Sequence, residues 1–332
     1  MKFRVGFIGC GGIAGAHVSR LSKMQDVQFA AFCDVVKDKA QAFSSKLGGN
    51  VYEDFHKMIA AEKIDVVWIC LPPFAHTDEV QVAAEKGIHV FIEKPIALTM
   101  KLADTMARAV REAGVRSQVG YLLRFGAGVE RAKEMIESGR AGDISLVQGR
   151  YLCNFIGGPW WRDRTKSGGQ LVEQSTHLYD TVRYLCGDVE RIYAEMGKRF
   201  WTDVPDMTSE DTSSTVLRFR NGAMGSLTAT TGAYSGDRWV TSWIIAAKNF
   251  TFEFENANSL TIHSTSKPPT TETVNAPDRD MFFLETRNLF DCIATGKETR
   301  TPIQEGAKTL ELTLAAVASS EKGSTVQLPM PR

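Results

Sequence analysis

The sequence predicts an α/β protein: an N-terminal doubly wound parallel sheet, followed by an α+β domain with a large, mostly antiparallel sheet. Three observations favour this fold class. The first third of the chain alternates short apolar runs with helical patterns, which is typical of parallel strands joined by helices. Long β-type runs later follow one another without helices, which indicates antiparallel pairing. The 332 residues suffice for two domains, which we place at residues 1–122 and 123–332.

The first predicted domain consists of repeated strand–helix–strand units. Such repeats imply a parallel sheet whose two faces are both covered by helices. We predict strands at residues 3–9, 27–34, 64–71, 89–93 and 115–121, and helices at residues 13–24, 37–47, 55–62, 77–86 and 100–113.

The pattern changes after residue 121. Helices are predicted at residues 129–138, 170–186, 283–294 and 305–320, and β-type runs at residues 191–201, 212–220, 223–231, 239–247 and 250–255. The dipeptide Asn221-Gly222 between two of these runs is a strong hairpin signal. The Pro- and Thr-rich segment 265–280 is predicted to be a surface loop.

Composition excludes several classes of protein. Lys+Arg and Asp+Glu both total 39, so the balanced charge argues against a nucleic-acid binder and against a basic membrane-surface protein. The longest apolar run, near residues 66–71, is too short to cross a bilayer. The N-terminus lacks a signal-peptide layout, and the six cysteines include no CxxC pair, so we expect buried thiols in the reducing cytoplasm.

The first motif with chemical content is Gly9-Cys10-Gly11-Gly12-Ile13-Ala14, which matches G-x-G-x-x-G/A. It follows a predicted strand and begins a predicted helix, which is the context of a Rossmann dinucleotide site. Gly9 permits a tight turn, and Gly11 lets backbone N–H groups approach a pyrophosphate. The alternative is a glycine-rich turn that binds nothing.

Asp34 ends the second predicted strand, 20 residues after Ala14. An acid at this spacing usually binds the adenosine ribose hydroxyls and repels a 2′-phosphate, so the sequence favours NAD over NADP. Lys37 and Lys39 follow closely and weaken that preference. The alternative is an Asp that caps the next helix.

Two further motifs follow strands of the same predicted sheet. The segment Leu71-Pro72-Pro73-Phe74-Ala75-His76 is predicted to form a rigid turn along which a dinucleotide can lie. For His76 alone, the simpler interpretation is a residue at a helix N-terminus whose ring nitrogens are satisfied by hydrogen bonds within the protein. In Glu93-Lys94-Pro95, the lysine is expected to point toward the glycine motif. A partly desolvated lysine near a nicotinamide can exchange a proton with a substrate hydroxyl; the alternative is a solvated lysine.

In this order and spacing, these motifs resemble the Gfo/Idh/MocA family of NAD(P)-dependent sugar and polyol oxidoreductases. The resemblance continues through residues 119–125 and 167–180 and reaches Asn221-Gly222 and the last helix, so it covers nearly the whole chain. It implies that Tyr121 and Arg124 belong to the substrate site, and that the helix at residues 170–186 faces the nicotinamide. The family usually has Asp where this chain has Glu173.

Glu173, His177 and Asp180 have the spacing of one helix face. A carboxylate one turn from an imidazole can orient the ring and raise its basicity, so His177 can take the hydroxyl proton while hydride leaves. A salt-bridged structural face is one alternative. A metal site is not expected, because the segment contains no second His.

A polar aromatic segment precedes this helix. Indole faces suit the C–H faces of a sugar, and neighbouring polar groups suit its hydroxyls. The alternative is a buried tryptophan anchor with the charged groups in solvent. The substrate-binding candidates in this segment are Asn154, Trp160, Trp161 and Arg162.

Together these features predict reversible NAD-dependent oxidation of a secondary alcohol on a sugar, sugar derivative or cyclitol, in a crevice between the two domains. Lys94 and His177 handle the proton and Glu173 supports one of them. One alternative is a glycoside-cleaving enzyme that recycles bound NAD; another is a non-catalytic NAD sensor. We expect a homodimer or homotetramer through the second sheet. The predicted cofactor contacts are Gly9, Gly11, Gly12, Ile13, Asp34, Leu71, Pro72, Pro73, His76, Glu93 and Lys94.

Overall fold

A computed structural model describes residues 2–234, 236 and 238–332. The chain divides into two compact units, Met1–Gly120 with Asp280–Ala307, and Tyr121–Arg279 with Lys308–Arg332. The first division lies close to the predicted boundary at residue 122. The return of Asp280–Ala307 to the first unit differs from the predicted second domain of 123–332.

The first unit contains a six-stranded, fully parallel sheet with the strand order β3-β2-β1-β4-β5-β6. Its strands are β1 Phe3–Ile8, β2 Val27–Cys33, β3 Asn50–Tyr52, β4 Val66–Ile69, β5 His89–Ile92 and β6 Ser117–Val119. Its helices are α1 Gly12–Leu21, α2 Lys37–Leu47, α3 Phe55–Ala61, α4 Glu79–Glu85 and α5 Met100–Ala113. Chain order reverses between β1 and β4, where ligands bind at the carboxyl edge of such sheets.

The predicted doubly wound sheet is confirmed, with one additional strand. The three-residue strand β3 was not predicted, because Asn50-Val51-Tyr52 is too short and too polar to stand out. The four strands β1, β2, β4 and β5 end in wholly buried residues, as strands covered on both faces should.

The second unit contains a nine-stranded sheet with the order β14-β13-β12-β11-β7-β10-β9-β8-β15. Its pairs are antiparallel except for β7 and β10, which run parallel. The strands are β7 Ile144–Cys153, β8 Val189–Gly197, β9 Thr212–Phe219, β10 Met224–Thr230, β11 Trp239–Ala247, β12 Phe250–Asn256, β13 Ser259–Ser264, β14 Thr271–Asn275 and β15 Val326–Gln327. The predicted hairpin at Asn221-Gly222 is confirmed, since β9 and β10 pair across it.

Four strands of this sheet were missed, of which β15 has only two residues. The central strand β7 buries alternate residues and exposes polar ones between them, so it lacks the continuous apolar run that marked the others. Strand β13 is a short partner of β12. Strand β14 lies inside the segment predicted as a surface loop, and its residues are mostly exposed.

The helices that follow α5 along the chain are α6 Ala127–Glu137, α7 Pro159–Arg162, α8 Arg164–Ser167, α9 Thr176–Cys186, α10 Met281–Thr295 and α11 Ile303–Lys322. Helix α10 belongs to the first unit because Leu289 and Phe290 join its core, where the Phe290 ring stacks on Phe3 at 4.5 Å. None of the helices in the described part of the chain is long and apolar enough to cross a membrane.

Candidate active site

The glycine loop joins β1 to α1 in the conformation that the motif predicts. Gly9 has φ +87°, and a Cβ atom there would lie 2.4 Å from the Cys70 carbonyl oxygen, so the turn requires glycine. A Cβ atom at Gly11 or Gly12 would meet no described atom within 4 Å. Ile13, in the first turn of the helix, is 37% exposed. The open start of α1 can therefore receive a pyrophosphate on its backbone N–H groups.

Asp34 lies directly beside this loop. Its Oδ2 accepts a hydrogen bond from the Cys10 backbone N–H at 2.8 Å, and its Oδ1 accepts from Val36 N–H at 2.8 Å. The N-cap residue of α2 is Val36, so Asp34 does not cap the helix. Lys37 and Lys39 are exposed. The carboxylate stands where a ribose-binding acid is expected.

The turn after β4 contains both accessible and buried members of the predicted cofactor set. Leu71 and Pro72 are half-buried, whereas Pro73 and His76 are buried. His76 Nδ1 lies 2.5 Å from Glu79 Oε1. Burial raises the pKa of Glu79, but the hydrogen bond and charge attraction of His76, together with hydrogen bonds from backbone N–H groups, outweigh burial and leave the pKa below its usual value. His76 is thus buried and paired through Nδ1, whereas its Nε2 has no hydrogen-bond partner among the described residues; its assignment as a cofactor contact stays a prediction.

Glu93 and Lys94 follow β5 at the same carboxyl edge of the sheet. Lys94 is half-buried and Glu93 is buried. The Lys94 backbone N–H donates to Glu93 Oε2 at 3.1 Å. Glu93 therefore belongs to the interior beneath the lysine, and Lys94 is the accessible member of the motif.

In the second unit, the helix that carries Glu173 and His177 begins irregularly. A π-helical turn at Leu171–Ser175 precedes α9, where one continuous α-helix was predicted. Within residues 171–183, Glu173 and His177 are the two that keep partial solvent access. Neighbouring accessible side chains surrounded by buried ones are suited to meet a ligand.

Asp180 does not share their role. Its two carboxylate oxygens accept from Arg124 Nε at 2.8 Å and Nη2 at 2.7 Å, and both side chains are 1% exposed. Arg124 also lies 4.5 Å from the centroid of the Tyr184 ring. The prediction of Arg124 as a substrate residue is therefore corrected: a bidentate partner 56 residues away holds it in the interior.

The remaining substrate candidates differ in accessibility. Trp160, Arg162 and Asn154 are half-buried; Arg162 pairs with Asp206 at 2.8 Å, and Asn154 Nδ2 donates to the Tyr234 carbonyl at 2.9 Å. Tyr121 is 1% exposed, and its ring meets the His177 ring edge-on at 6.1 Å. Burial raises the pKa of Tyr121, so its hydroxyl stays protonated and contacts Thr176. Tyr121 supports His177 rather than presenting a surface to substrate.

Trp161 is the third correction, after Arg124 and Tyr121. Its side chain is buried and meets Phe155 edge-on, so it offers no face to a sugar. Instead its Nε1–H donates to Glu173 Oε2 at 2.8 Å. Trp161 is therefore the buried tryptophan that the sequence analysis gave as the alternative. Its indole N–H holds the carboxylate of Glu173, which is one of the predicted catalytic residues.

The sequence did not reveal the buried segment Ser209-Glu210-Asp211. Ser209 donates to the Trp161 carbonyl, Glu210 accepts from Leu171 N–H at 2.9 Å, and Asp211 accepts from three successive backbone N–H groups at 199–201. Burial raises the pKa of Glu210 to about 6. No local pattern distinguishes these residues from the start of an ordinary strand.

Comparison with known proteins agrees with this description. Residues 3–121 match the model of an oxidoreductase family with an NAD-binding Rossmann fold, and residues 129–265 match the GFO/IDH/MocA C-terminal domain.

The described residues contain no group of three His, Cys, Asp or Glu side chains able to hold a metal ion.

Two curated relatives are named as inositol dehydrogenases. Myo-inositol 2-dehydrogenase of Thermotoga maritima is 30% identical over 67% of this chain, which spans 66% of that relative, just under two thirds. The scyllo-inositol 2-dehydrogenase (NAD(+)) of Bacillus subtilis is 26% identical over 100% of this chain and 98% of its own. A solved structure of levoglucosan dehydrogenase with NADH and L-sorbose superposes with a TM-score of 0.90 at 25% identity, covering 100% of both chains.

Proposed function

The chain belongs to the Gfo/Idh/MocA oxidoreductase family, and from this we propose that it oxidises a secondary alcohol of a sugar, sugar derivative or cyclitol with NAD. The observation that carries the proposal is the pair of accessible side chains, Glu173 and His177, on an otherwise buried helical segment. The dehydrogenase names of the inositol and levoglucosan relatives support this function over glycoside cleavage.

The first unit fits NAD at the glycine loop. Gly9 allows the turn, Gly11 and Gly12 leave open space at the start of α1, and Asp34 stands beside the loop. Bound NAD supplies the hydride acceptor. The Asp34 carboxylate favours ribose hydroxyls over a 2′-phosphate, which supports NAD over NADP.

Lys94 and His177 handle the hydroxyl proton in this proposal. Each is accessible while its neighbours are buried, which suits general acid–base groups. Glu173, fixed by the Trp161 indole at 2.8 Å, supports the charge that His177 acquires. Trp160, Asn154 and Arg162 are the proposed substrate contacts, because each remains partly accessible.

We also propose a homodimer or homotetramer through the open face of the second sheet. Val216, Met224, Leu146 and Ile244 lie on the adjacent strands β9, β10, β7 and β11, and each is 42–58% exposed. Exposed apolar side chains on neighbouring strands favour association. The six free, buried cysteines suit the reducing cytoplasm. Sedimentation equilibrium tests the assembly, and a monomer at micromolar concentration would contradict it.

A substrate panel tests the proposed reaction. NADH formation is followed with myo-inositol, scyllo-inositol, glucosides and levoglucosan, and aryl glycosides are assayed in parallel for aglycone release. We expect NADH formation with at least one polyol or sugar and faster turnover with NAD than with NADP. Aglycone release without net NADH would replace the proposal with glycoside cleavage. NAD binding without either reaction would favour a sensor.

A further inference from the structure

Helix α1 and the lysine turn of the first unit are joined by a buried pair of side chains. His17, on α1, is fully buried, and its Nε2 lies 2.7 Å from Glu93 Oε1. The ring is enclosed by Phe91 and Phe282, which meet it edge-on at 4.7 and 5.5 Å. Burying a histidine and an acid costs free energy unless the two side chains form a hydrogen bond with each other. A buried pair of this kind therefore calls for a structural or functional explanation.

The second carboxylate oxygen of Glu93 connects the His17–Glu93 pair to the backbone of Lys94. Glu93 Oε2 accepts the Lys94 backbone N–H at 3.1 Å. The carboxyl also lies against Gly120 at the end of β6, where a Cβ atom would come within 2.9 Å of both oxygens. The Glu93 side chain is thus confined between His17 and Gly120. In that position its carboxylate accepts a hydrogen bond from the Lys94 backbone N–H.

A second acid, Glu285 on α10, is buried close to this cluster. Its carboxyl oxygens have no hydrogen-bond partner among the described residues. Burial first, and then the nearby Glu93 carboxyl, raise the pKa of Glu285 well above its usual value, so Glu285 stays neutral. The neutral acid leaves the His17–Glu93 contact without a competing negative charge.

We propose that Glu93, held by His17, is a positioning residue that fixes the Lys94 backbone relative to helix α1. Because α1 begins at the glycine loop, the pair ties the placement of the proton-handling lysine to the element that receives the pyrophosphate. The inference rests on the proposed function only in the role of Lys94. Neither His17 nor Glu93 need touch substrate.

The test removes and then restores the donor to Glu93. His17→Leu leaves a buried acceptor unpaired, and His17→Gln keeps an N–H donor in similar volume. We expect His17→Leu to lower kcat roughly 10- to 100-fold, the effect of losing one hydrogen bond to an acidic group, and to weaken NADH binding at least about fivefold. His17→Gln should recover most of both losses. Substrate KM should change little.

Gly120→Ala provides an independent perturbation. Its methyl group presses on Glu93 without altering either partner of the pair, and we expect it to lower kcat in the same direction. The matched control is His89→Leu. His89 lies at the opposite end of β5 and accepts from Arg116 N–H at 2.8 Å, so its loss should lower stability but leave kcat and NADH affinity unchanged.

The outcomes are distinguishable from failure of the proposed function. If the wild type oxidises no panel substrate, the function fails, and NADH titration by calorimetry still tests the pair. Folded His17→Leu with wild-type NADH affinity and turnover overturns the inference. Equal losses in His17→Leu and His17→Gln also overturn it, because a simple packing role would not be rescued by a donor. If His17→Leu does not fold, Gly120→Ala and His17→Gln decide: wild-type kcat in Gly120→Ala refutes the inference.

Discussion

Trp161 and Glu173 provide the sharpest test of the site in the second unit. The indole Nε1–H donates to Glu173 Oε2 at 2.8 Å, while the ring itself is buried against Phe155. Trp161→Phe removes the N–H and keeps an aromatic ring in the same place. Since a hydrogen bond to a charged group contributes about 1.5–3 kcal/mol, kcat/KM should fall roughly 10- to 100-fold if the bond holds Glu173 for catalysis.

A double-mutant cycle separates this role from sugar stacking. Glu173→Gln and Trp161→Phe act on one interaction, so the double variant should lose little more than the worse single variant, with a coupling energy above about 1 kcal/mol. The control is Trp243→Phe. Trp243 is 2% exposed and stacks on Phe254 at 4.4 Å, and its indole N–H has no partner among the described residues.

The assay is steady-state kinetics on the best panel substrate, with melting curves for every variant. Trp243→Phe should lower stability without changing kcat/KM. Additive losses from Trp161→Phe and Glu173→Gln would refute the reasoning. A rise in substrate KM alone would show that Trp161 meets the sugar after all, against its burial.

Four further predictions follow from the same structure. Lys94→Ala and His177→Ala should each lower kcat by about 10²–10⁴-fold, the usual contribution of general acid–base catalysis, measured by steady-state turnover. Asp34→Ser should reduce the preference for NAD over NADP, as the ratio of kcat/KM values shows; an unmodified enzyme that favours NADP would contradict the role of Asp34. Arg124→Met should cost about 3–5 kcal/mol by urea unfolding, because it leaves Asp180 charged and buried, and wild-type stability would disprove the ion pair's role. The pKa of Glu210, raised by burial from 4.5 to about 6, means that the folded state binds this proton more tightly than the unfolded state. The free energy of unfolding should therefore fall by about 2 kcal/mol as pH rises from 4.5 through 6, relative to Glu210→Gln, and parallel pH profiles would exclude it.

The sequence predicted those parts of the fold and site that depend on neighbouring residues. The glycine loop, Asp34 and Lys94 each follow a strand of a parallel sheet, so their shared edge follows from local pattern alone. The hairpin at Asn221-Gly222 is equally local. Strand β7 was missed because its alternating polar residues hide a central position in the sheet.

The errors in the site arose from partners that are distant in sequence. Arg124 and Asp180 are 56 residues apart, and their motif neighbourhoods gave no sign that they would meet. Trp161 and Glu173 are only 12 residues apart, but the π-helical turn that carries Glu173 cannot be inferred from the spacing of side chains. The addition of α10 to the first core, through Phe290 on Phe3, depends on a contact between residues 287 positions apart.

Three acidic side chains near the predicted site residues accept hydrogen bonds from backbone N–H groups. Asp34 accepts from Cys10 N–H, Glu93 from Lys94 N–H and Glu210 from Leu171 N–H, each within a loop that carries predicted site residues. The sequence analysis named Asp34 and Glu93 as cofactor contacts and did not single out Glu210, because hydrogen bonds to backbone N–H groups cannot be inferred from a motif. Glu173 accepts a hydrogen bond from an indole N–H and keeps partial solvent access. Accessibility combined with a side-chain partner, rather than acidity, therefore distinguishes the carboxyl that can act on a substrate from those that hold the loops in place.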